Sequence, residues 1–466
     1  MSRSRVGAFA RSFARSTSAS PVATTLCRSA IRPSGARLPA DSRHKRLTAA
    51  SASSSLSNVP SDTPSSASNS SNAIPRSVVR RQSGDLSRSA RYDTRVVKRP
   101  AAIDAGLQLG LRNRWYPIFE SKDLGSGKAI GIKRLGEELA LWRDSSGQPH
   151  VFIDRCPHRG AAFSEGGTVH GQELQCWYHG FRYDGSGQCT AVPVEGEQTA
   201  LANRVSITSY PVEERWGMIW AYIGEVDLFP SPPLELPDEM LRPDWAGHIA
   251  RATWRANWLL VIDNLMDPMH ASWLHAKSYT LSKGKKSARL AVRELDDGFI
   301  VERENQRGVN FDWTEYHDNG SLWFRLEIPY PRSAGPGGPF RILGWSTPVD
   351  AESSLSYFLR MRHVSGWQRR LWDLLYGLYL ERNHWNVLEQ DRRILESQRG
   401  LSSRLWEHMA QTDIGVVRLR RMLNEAYWSQ QEVYLAAAAA GRKPSSGERV
   451  KALLAARGAG REAIPV

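Results

Sequence analysis

The sequence predicts an α+β protein in which a compact antiparallel β domain precedes a second domain of strands and long helices. Three observations support this fold class. Residues 111–230 hold short apolar runs separated by turn signals, which indicates antiparallel strands. The proline-rich stretch FPSPPLELPDEMLRPD at 229–244 indicates a linker. A long amphipathic pattern at 367–398 predicts a helix, and further helix is expected to about residue 440.

The chain divides into an extension at 1–105, a β domain at 106–230, a second domain at 231–440 and a flexible tail at 441–466. The extension is rich in Ser and Arg, and its first 100 residues contain no Glu. Such a segment cannot bury enough apolar surface to offset chain entropy, so we expect disorder. An acid-poor start of this kind is typical of organelle transit peptides, although an over-extended gene start accounts for it equally well. We therefore expect the cytoplasm of a bacterium or, with a transit peptide, an organelle matrix or stroma.

The charge distribution argues against a nucleic-acid-binding protein. The formal charge is +14, yet the first 100 residues hold 18 Lys and Arg against four Asp and so carry all of it. The remainder of the chain is balanced, which removes the usual signal for a nucleic-acid partner. Four cysteines are too few for a disulfide framework and suit a reducing compartment. Since no apolar run reaches the roughly 18 residues of a membrane helix, we expect no membrane segment.

Turn signals and periodicity predict individual elements within both domains. The β domain is expected to contain strands joined by a DSSG turn at 128–154, a hairpin at 181–193 and a buried strand at 217–225. The second domain is expected to contain helical spacing from 252 to Pro268, followed by strands within 298–306, 310–330 and 353–364, with DNG marking a hairpin.

Two Cys-His pairs lie close together in the β domain: Cys156 with His158, then Cys176 with His179. Two tight loops can aim one thiolate and one imidazole each at a shared metal cluster. In a [2Fe–2S] centre, two imidazoles in place of two thiolates make one iron easier to reduce and raise the potential. A Cys₂His₂ zinc site is the competing interpretation, and it would make the chain a zinc-stabilised binding module. Zinc fingers usually pair Cys with Cys, so the spacing favours the iron–sulfur cluster.

A second group of candidate ligands lies in DNLMDPMHASWLH at 263–275. Asp267 and His270 are three residues apart and share a helix face. His270 and His275 are five apart, about 140° around an ideal helix, so they converge only if the helix is distorted or ends between them. On spacing alone, two such histidines are more often core or surface residues than metal ligands.

The motifs CPHRGA and CWYHGFRYDGSGQC resemble the Rieske domain of ring-hydroxylating oxygenases, and DNLMDPMHASWLH matches the Asp-x-x-His-x4-His of the same enzymes. The resemblance is strongest to the vanillate- and dicamba-demethylase-like branch. It implies a Rieske β domain followed by a helix-grip catalytic domain. It also implies that Cys156 and Cys176 hold one iron of the cluster, and that His158 and His179 hold the other.

For the second domain, the resemblance implies a mononuclear Fe(II) held by His270, His275 and a carboxylate from the long helix. Asp391, in WNVLEQDRRILESQ, matches the position of that carboxylate. Asp373, Glu389 and Glu396 remain competitors, because spacing alone does not separate them from Asp391.

Asp267 is the residue to which the resemblance assigns a catalytic part. A carboxylate three residues before His270 is expected beside the imidazole of that ligand. In the family, this Asp also meets a cluster His of the neighbouring subunit. Carried over, this is a bridge from His179 through Asp267 to His270 across the interface of a homotrimer.

The implied function is that of a terminal oxygenase, a mono- or dioxygenase that activates O₂ and hydroxylates or O-demethylates an aromatic or related small molecule. An electron-carrier protein without oxygenase activity is the alternative, as is the zinc-stabilised module. No Gly-rich strand–turn–helix fingerprint for a nucleotide occurs in the chain. We therefore expect electrons from NAD(P)H to arrive through a separate flavin- or ferredoxin-type reductase.

Overall fold

The computed structural model describes residues 107–196, 199–278, 281–330 and 337–442. The predicted extension at 1–105, and residues 443–466 of the predicted tail, lie outside the described residues. Within the described ranges, no helix combines the length and the apolar composition that a membrane span requires.

The first domain consists of three small antiparallel sheets with strand orders β1-β11-β10, β2-β3-β4-β9 and β5-β6-β7-β8. Two Asp-containing turns have the same construction: Asp144 and Asp184 each accept the amides two and four residues further on. The strands are β1 Arg114–Glu120, β2 Ile130–Arg134, β3 Glu137–Arg143, β4 Pro149–Ile153, β5 Thr168–His170, β6 Glu173–Gln175, β7 Arg182–Asp184, β8 Cys189–Ala191, β9 Ser209–Tyr210, β10 Val212–Arg215 and β11 Met218–Ile223.

The second domain is built on a seven-stranded antiparallel sheet with the order β12-β18-β17-β16-β15-β14-β13. Its strands are β12 Trp245–Trp254, β13 Leu290–Glu294, β14 Gly298–Arg303, β15 Trp313–Asp318, β16 Leu322–Ile328, β17 Phe340–Pro348 and β18 Ser354–His363. The α-helices described are α1 Asp238–Leu241, α2 Trp258–Leu265, α3 Ala271–Leu274, α4 Gly366–Leu375, α5 Glu381–Ser397 and α6 Ile414–Ala439. Short 3₁₀ turns occur at Ser121–Asp123, Pro193–Glu195, Gly400–Trp406 and Gln411–Asp413.

The predicted α+β class is confirmed, and so is the DNG hairpin, which joins β15 to β16. Residues 252–254 were expected to be helical but form the end of β12, and β13 and β17 were not predicted. The buried positions of β12 include Ala246, Ala250 and Ala252. Alanine gives little strand signal, so the apolar alternation of this strand is weak in the sequence.

The predicted helix at 367–398 is present but is interrupted by a π-helical turn at Tyr376–Leu380. This turn lies between α4 and α5, and a π turn accommodates one extra residue within a helix. The side chain of Tyr376 is buried against Trp372 at a ring-centroid distance of 5.3 Å. The turn therefore sets the rotation of α5 relative to α4.

The seven-stranded sheet is covered on both faces. One face packs against the helices in the largest apolar core, which includes Trp258 and Leu423. The opposite face packs against β1 and β11 of the first domain, where the Trp220 and Trp345 rings meet at a centroid distance of 5.4 Å. Helix α6 also reaches the start of the β domain, because Gln430 Nε2 donates to the Arg112 carbonyl at 2.8 Å.

A buried ion pair fixes the start of the β domain. Arg112 Nη1 donates to Glu137 Oε1 at 2.5 Å, and the Tyr210 hydroxyl donates to Glu137 Oε2. The side chains of Arg112 and Glu137 are only 3% and 8% exposed. The carboxylate therefore compensates a cation that water does not reach.

We predict that Glu137→Gln lowers the free energy of unfolding of the β domain by about 3–5 kcal/mol, because it leaves the Arg112 charge buried and unpaired. Urea titration followed by circular dichroism measures the change. The matched control is Glu294→Gln, which removes the acid from the exposed pair with Arg418. This control should cost at most about 1 kcal/mol. Equal effects of the two substitutions would contradict the assigned role of the buried pair.

Candidate functional site

Two loops with the same backbone geometry, at 156–161 and 176–181, present the Cys-His pairs. In each loop the Cys amide donates to the carbonyl five residues further on, at 2.8 Å. The Gly four residues after each Cys donates back to the Cys carbonyl, at 2.8 Å in the first loop and 3.0 Å in the second. Gly160 and Gly180 have φ angles of 76° and 75°, which L side chains rarely adopt. The two loops therefore present their side chains in equivalent ways.

The four side chains of these loops converge. The Cys156 and Cys176 thiols hydrogen bond to each other, which lowers the pKa of Cys156 to about 6 and raises the pKa of Cys176. The rings of His158 and His179 lie at a centroid distance of 4.6 Å. The Nδ1 atom of His179 is buried and has no hydrogen-bond partner among the residues described. Two sulfurs and two imidazoles with a spare buried nitrogen fit the donor set of a Rieske cluster.

Aromatic side chains surround the converging pairs. The Tyr183 hydroxyl lies 3.4 Å from the Cys156 sulfur, and the His158 ring stacks on Phe181 at 4.5 Å. Trp177 and Tyr178, which precede His179, are about half exposed at 56% and 49%. The second loop therefore presents an aromatic surface to solvent beside one of the two imidazoles.

A break in the helix brings His270 and His275 together. Helix α2 ends at Leu265, and Asp267 Oδ1 accepts the Met269 amide at 2.7 Å in the turn that follows. His270 then precedes the single turn of α3, and His275 ends it. The helix thus ends before the two histidines, so their spacing on an ideal helix no longer applies. Their rings meet edge to face at a centroid distance of 5.2 Å.

Asp391 reaches the two histidines from α5. Its Oδ1 atom lies 3.2 Å from His275 Nε2 and 3.7 Å from His270 Nε2. One ligand atom from each of the three residues lies within 4.8 Å of the others. The Asp391 Oδ1 atom is buried and makes no hydrogen bond within the described part of the chain. Two imidazoles and one carboxylate on one side of a shared point fit mononuclear non-haem Fe(II).

The competing carboxylates are engaged elsewhere. Glu389 and Glu396 both pair with Arg392 at 2.5 Å, and Asp373 lies 3.1 Å from His248 Nε2. None of the three belongs to the group of candidate ligands found among the described residues.

The outer nitrogens of the two imidazoles are held by oxygen atoms. His275 Nδ1 lies 3.2 Å from Gln390 Oε1. Burial alone would lower the pKa of His275. The contacts with Asp391 and Gln390 have the larger effect, so the pKa lies above its usual value. His270 Nδ1 contacts the main-chain carbonyl of Asp267 at 2.5 Å, whereas the Asp267 carboxylate lies 3.9 Å away. Within one chain, the backbone of Asp267 rather than its side chain orients the His270 ring. Gln390 could not be predicted from the sequence, since nothing in a helical Gln indicates such a contact.

A cavity of about 780 Å³ opens from the three candidate iron ligands. Its wall is mostly apolar and aromatic, with Leu265, Phe311, Leu326, Ile342 and Phe358 among the lining residues. A cavity of this size and composition suits a small organic molecule. The arrangement therefore places a potential reaction centre beside a largely apolar space.

Two family matches cover the two domains in order. Residues 114–211 match the Rieske [2Fe-2S] domain, and residues 254–427 match the vanillate O-demethylase oxygenase C-terminal domain.

Individual relatives agree with these matches. The chain is 29% identical over 346 residues to the 5,5'-dehydrodivanillate O-demethylase oxygenase subunit of Sphingobium sp. (strain NBRC 103272 / SYK-6), covering 69% of this chain and 77% of that one. It is 34% identical over 258 residues to the 4beta-methylsterol monooxygenase of Methylococcus capsulatus (strain ATCC 33009 / NCIMB 11132 / Bath), covering 53% and 67%. Its fold is similar to that of an oxygenase variant in a ferredoxin complex of carbazole 1,9a-dioxygenase, with a TM-score of 0.58, 21% identity and coverage of 70% and 91%. The chain is thus a member of the Rieske oxygenase family, with its iron–sulfur domain and its oxygenase domain in one polypeptide.

Proposed function

We propose that this protein is a terminal oxygenase that takes electrons through a Rieske cluster and uses O₂ to hydroxylate or O-demethylate a small aromatic or related molecule. The observation that carries the proposal is the group of His270, His275 and Asp391 at the end of an apolar cavity. A two-His-one-carboxylate set leaves coordination positions open on Fe(II) for O₂ activation. An electron carrier needs no such cavity, and a zinc-stabilised module needs no second group of ligands.

The side chains around the proposed iron orient its two imidazole ligands and exclude water. Gln390 and the Asp267 carbonyl hold the outer nitrogens of the imidazoles, so that each Nε2 atom faces Asp391. The apolar wall limits water at the open side of the ligands, which protects reactive species from side reactions. Aromatic and aliphatic side chains in this wall favour a planar, largely apolar substrate.

Electrons come from a separate protein. The fold is similar to an oxygenase found in complex with a ferredoxin, which supports an external electron-transfer partner. We propose that NAD(P)H supplies the electrons through a flavin- or ferredoxin-type reductase, because the chain has no nucleotide fingerprint of its own.

We also propose a homotrimer in which His179 of one subunit approaches Asp267 of the next. Asp267 Oδ1 is occupied by the Met269 amide, while Oδ2 lies on the side of His270 Nδ1. A shallow depression beside Asp267 and His270 includes Trp273, whose side chain is exposed at 63%. An aromatic surface next to a candidate ligand supports coverage by a second copy of the chain.

We predict that Cys156→Ala removes the [2Fe–2S] cluster, since a cluster without one of its four protein ligands is labile. Iron and acid-labile sulfide assays, together with the visible spectrum of the purified protein, measure the loss. Cys189→Ala is the control, because Cys189 is buried in the same domain outside the two loops and should keep the cluster. A full Rieske spectrum in the Cys156 variant would refute the cluster assignment.

Asp391→Ala should retain the cluster spectrum, lose the mononuclear iron and reduce turnover by at least about 100-fold, because it removes the only carboxylate of the proposed ligand set. NADH- and O₂-dependent turnover of methoxylated aromatics with a surrogate reductase provides the measurement. Glu389→Ala is the matched control on the same helix and should remain active, since Glu389 pairs with Arg392 at the surface. Loss of activity in Glu389→Ala but not in Asp391→Ala would mean that the wrong carboxylate was chosen. Absence of turnover in the wild type would favour the alternative that the protein is an electron carrier.

For Asp267→Asn we expect an intact cluster, most of the iron and an unchanged oligomeric state, but almost no coupled turnover. Asn retains an oxygen for the Met269 amide, so the substitution tests the charge of Asp267 rather than its part in the turn. Stopped-flow oxidation of the pre-reduced cluster by O₂ and substrate should be slowed at least about tenfold. Asp296→Asn, at an exposed turn, is the control. Normal cluster oxidation in the Asp267 variant, or an active monomer by sedimentation, would contradict the bridge.

A further inference from the structure

A buried guanidinium holds the turn that carries His270. Arg303 is the last residue of β14, and its side chain is 0% exposed. Its Nη2 atom donates to the Pro268 carbonyl at 2.5 Å and to the Ser272 hydroxyl at 2.9 Å. Pro268 lies two residues before His270, and Ser272 lies two residues after it. One nitrogen of the guanidinium therefore contacts the turn on both sides of a candidate iron ligand.

The same guanidinium also contacts a second segment of the chain. Arg303 Nη1 donates to the Lys285 carbonyl at 2.9 Å. The carbonyl of the next residue, Lys286, accepts a hydrogen bond from Trp273 Nε1 at 3.2 Å, and its ammonium group lies 4.7 Å from the centre of the Trp273 ring. The loop containing these two lysines is thus joined to α3, and Arg303 joins both to the sheet.

Neutral oxygen atoms, rather than a carboxylate, accept the hydrogen bonds of Arg303. Among the described residues, Asp312 is within ion-pair distance, with its Oδ1 atom 4.0 Å from Arg303 Nε, but that nitrogen donates no hydrogen bond to them. Asp312 Oδ1 accepts Gln306 Nε2 at 2.6 Å, and Oδ2 accepts the Val309 amide at 2.8 Å. Asp312 therefore supplies charge, whereas the acceptors in the turn and the loop set the direction of the guanidinium.

The turn needs an external contact because little regular structure supports it. Helix α2 ends before the turn, and Pro268 has no amide hydrogen with which to continue a helix. Helix α3, which follows His270, is a single turn. Because His270 Nδ1 contacts the Asp267 carbonyl, the direction of the His270 ring follows the backbone of the turn. A shift of this backbone would therefore move His270 Nε2 relative to Asp391.

We propose that Arg303 is a positioning residue for His270. By fixing the turn to β14 and to the loop at Lys285, it sets the affinity and the coordination geometry of the iron site. This role rests on the proposed oxygenase function, since it concerns the iron ligands of that same site. Arg303 itself belongs neither to the group of candidate ligands nor to the cavity wall of the described chain. It acts on the iron through the turn.

The test is metal titration of the full-length protein with its cluster retained and its mononuclear iron removed. Fe(II) measures affinity. Co(II) reports geometry, because its electron paramagnetic resonance signal depends on the arrangement of its ligands and the oxidised cluster gives no such signal. Arg303→Gln should weaken Fe(II) binding about 10–100-fold, the effect expected when an outer contact of a metal ligand is lost. The Co(II) signal should change, and the visible spectrum of the cluster should not.

Arg303→Lys is the conservative variant. It keeps the positive charge, but its ammonium group lacks the rigid fork that contacts Pro268, Ser272 and Lys285 together. Fe(II) binding should therefore be weaker than in the wild type and tighter than in Arg303→Gln. Circular dichroism and the cluster spectrum check that each variant is folded, and Arg303→Lys keeps the test valid if the Gln variant does not fold.

Arg325→Gln is the matched control for lost stability. Arg325, on β16, is largely buried and pairs with Glu239 at 3.0 Å and with Glu315 at 2.7 Å. It lies opposite Leu343 of β17, which packs in the core on the face of the sheet away from the helices. This variant should also lower the free energy of unfolding. It should nevertheless keep the wild-type Fe(II) affinity and Co(II) signal.

Wild-type Fe(II) affinity in Arg303→Gln would overturn the inference, as would an equal loss of affinity in Arg325→Gln. Turnover by the wild type separates this result from the proposed function. An Fe(II) affinity that depends on Arg303 in a protein without turnover would remove the oxygenase function and leave the positioning role. Turnover together with an Fe(II) affinity that is independent of Arg303 would do the reverse.

Discussion

The interruption between α2 and α3 is the constraint on which the rest of the site depends. An unbroken α-helix would separate the His270 and His275 side chains by about 140° around its axis, and no single ion could contact both. Pro268 has no amide hydrogen to continue the helix, and the Asp267 side chain satisfies the Met269 amide in the turn. Because the chain changes direction there, both Nε2 atoms face Asp391, and the three candidate iron ligands meet at the cavity.

The interruption is stable because α2 is anchored by distant parts of the chain. Asp263, one turn before the break, accepts hydrogen bonds from Arg404 at 2.5 Å and from Arg420 Nη2 at 2.7 Å. Trp258, at the start of α2, donates through Nε1 to the Leu107 carbonyl at 2.8 Å. The apolar residues between them are buried in the core beneath the sheet. Both ends of this short helix are therefore held, and the histidine-bearing turn begins from a fixed position.

Local features of this protein were readable from its sequence, and long-range contacts were not. The hairpin turns and the Cys-His loops could be predicted because turn chemistry and ligand spacing are local. Asp391 could be chosen as a ligand only from the family resemblance, because three other acids lie in the same helical segment. Only the contacts of those acids with Arg392 and His248 in the folded protein exclude them as ligands. Nothing in the sequence indicated that Arg360 is buried. A strand position in SSLSYFLRMRHV looks like an exposed Arg until the covering helices make it a buried one.

The π turn at Tyr376–Leu380 has a consequence for the evolution of such sites. One residue inserted into a regular α-helix would rotate everything that follows it by about 100°, because an α-helix has 3.6 residues per turn, but a π turn takes up that residue. A helical wheel drawn through 366–397 as one helix therefore assigns Asp391 and His384 to the wrong side relative to Trp367 and Trp372. Deleting a single residue from the π turn would make it an α-helical turn and leave Asp391 facing the two imidazoles, whereas the same deletion in the regular part of α5 before Asp391 would rotate the carboxylate by about 100°. The π turn therefore lets the length of this helical segment change by one residue while the candidate iron ligands stay together.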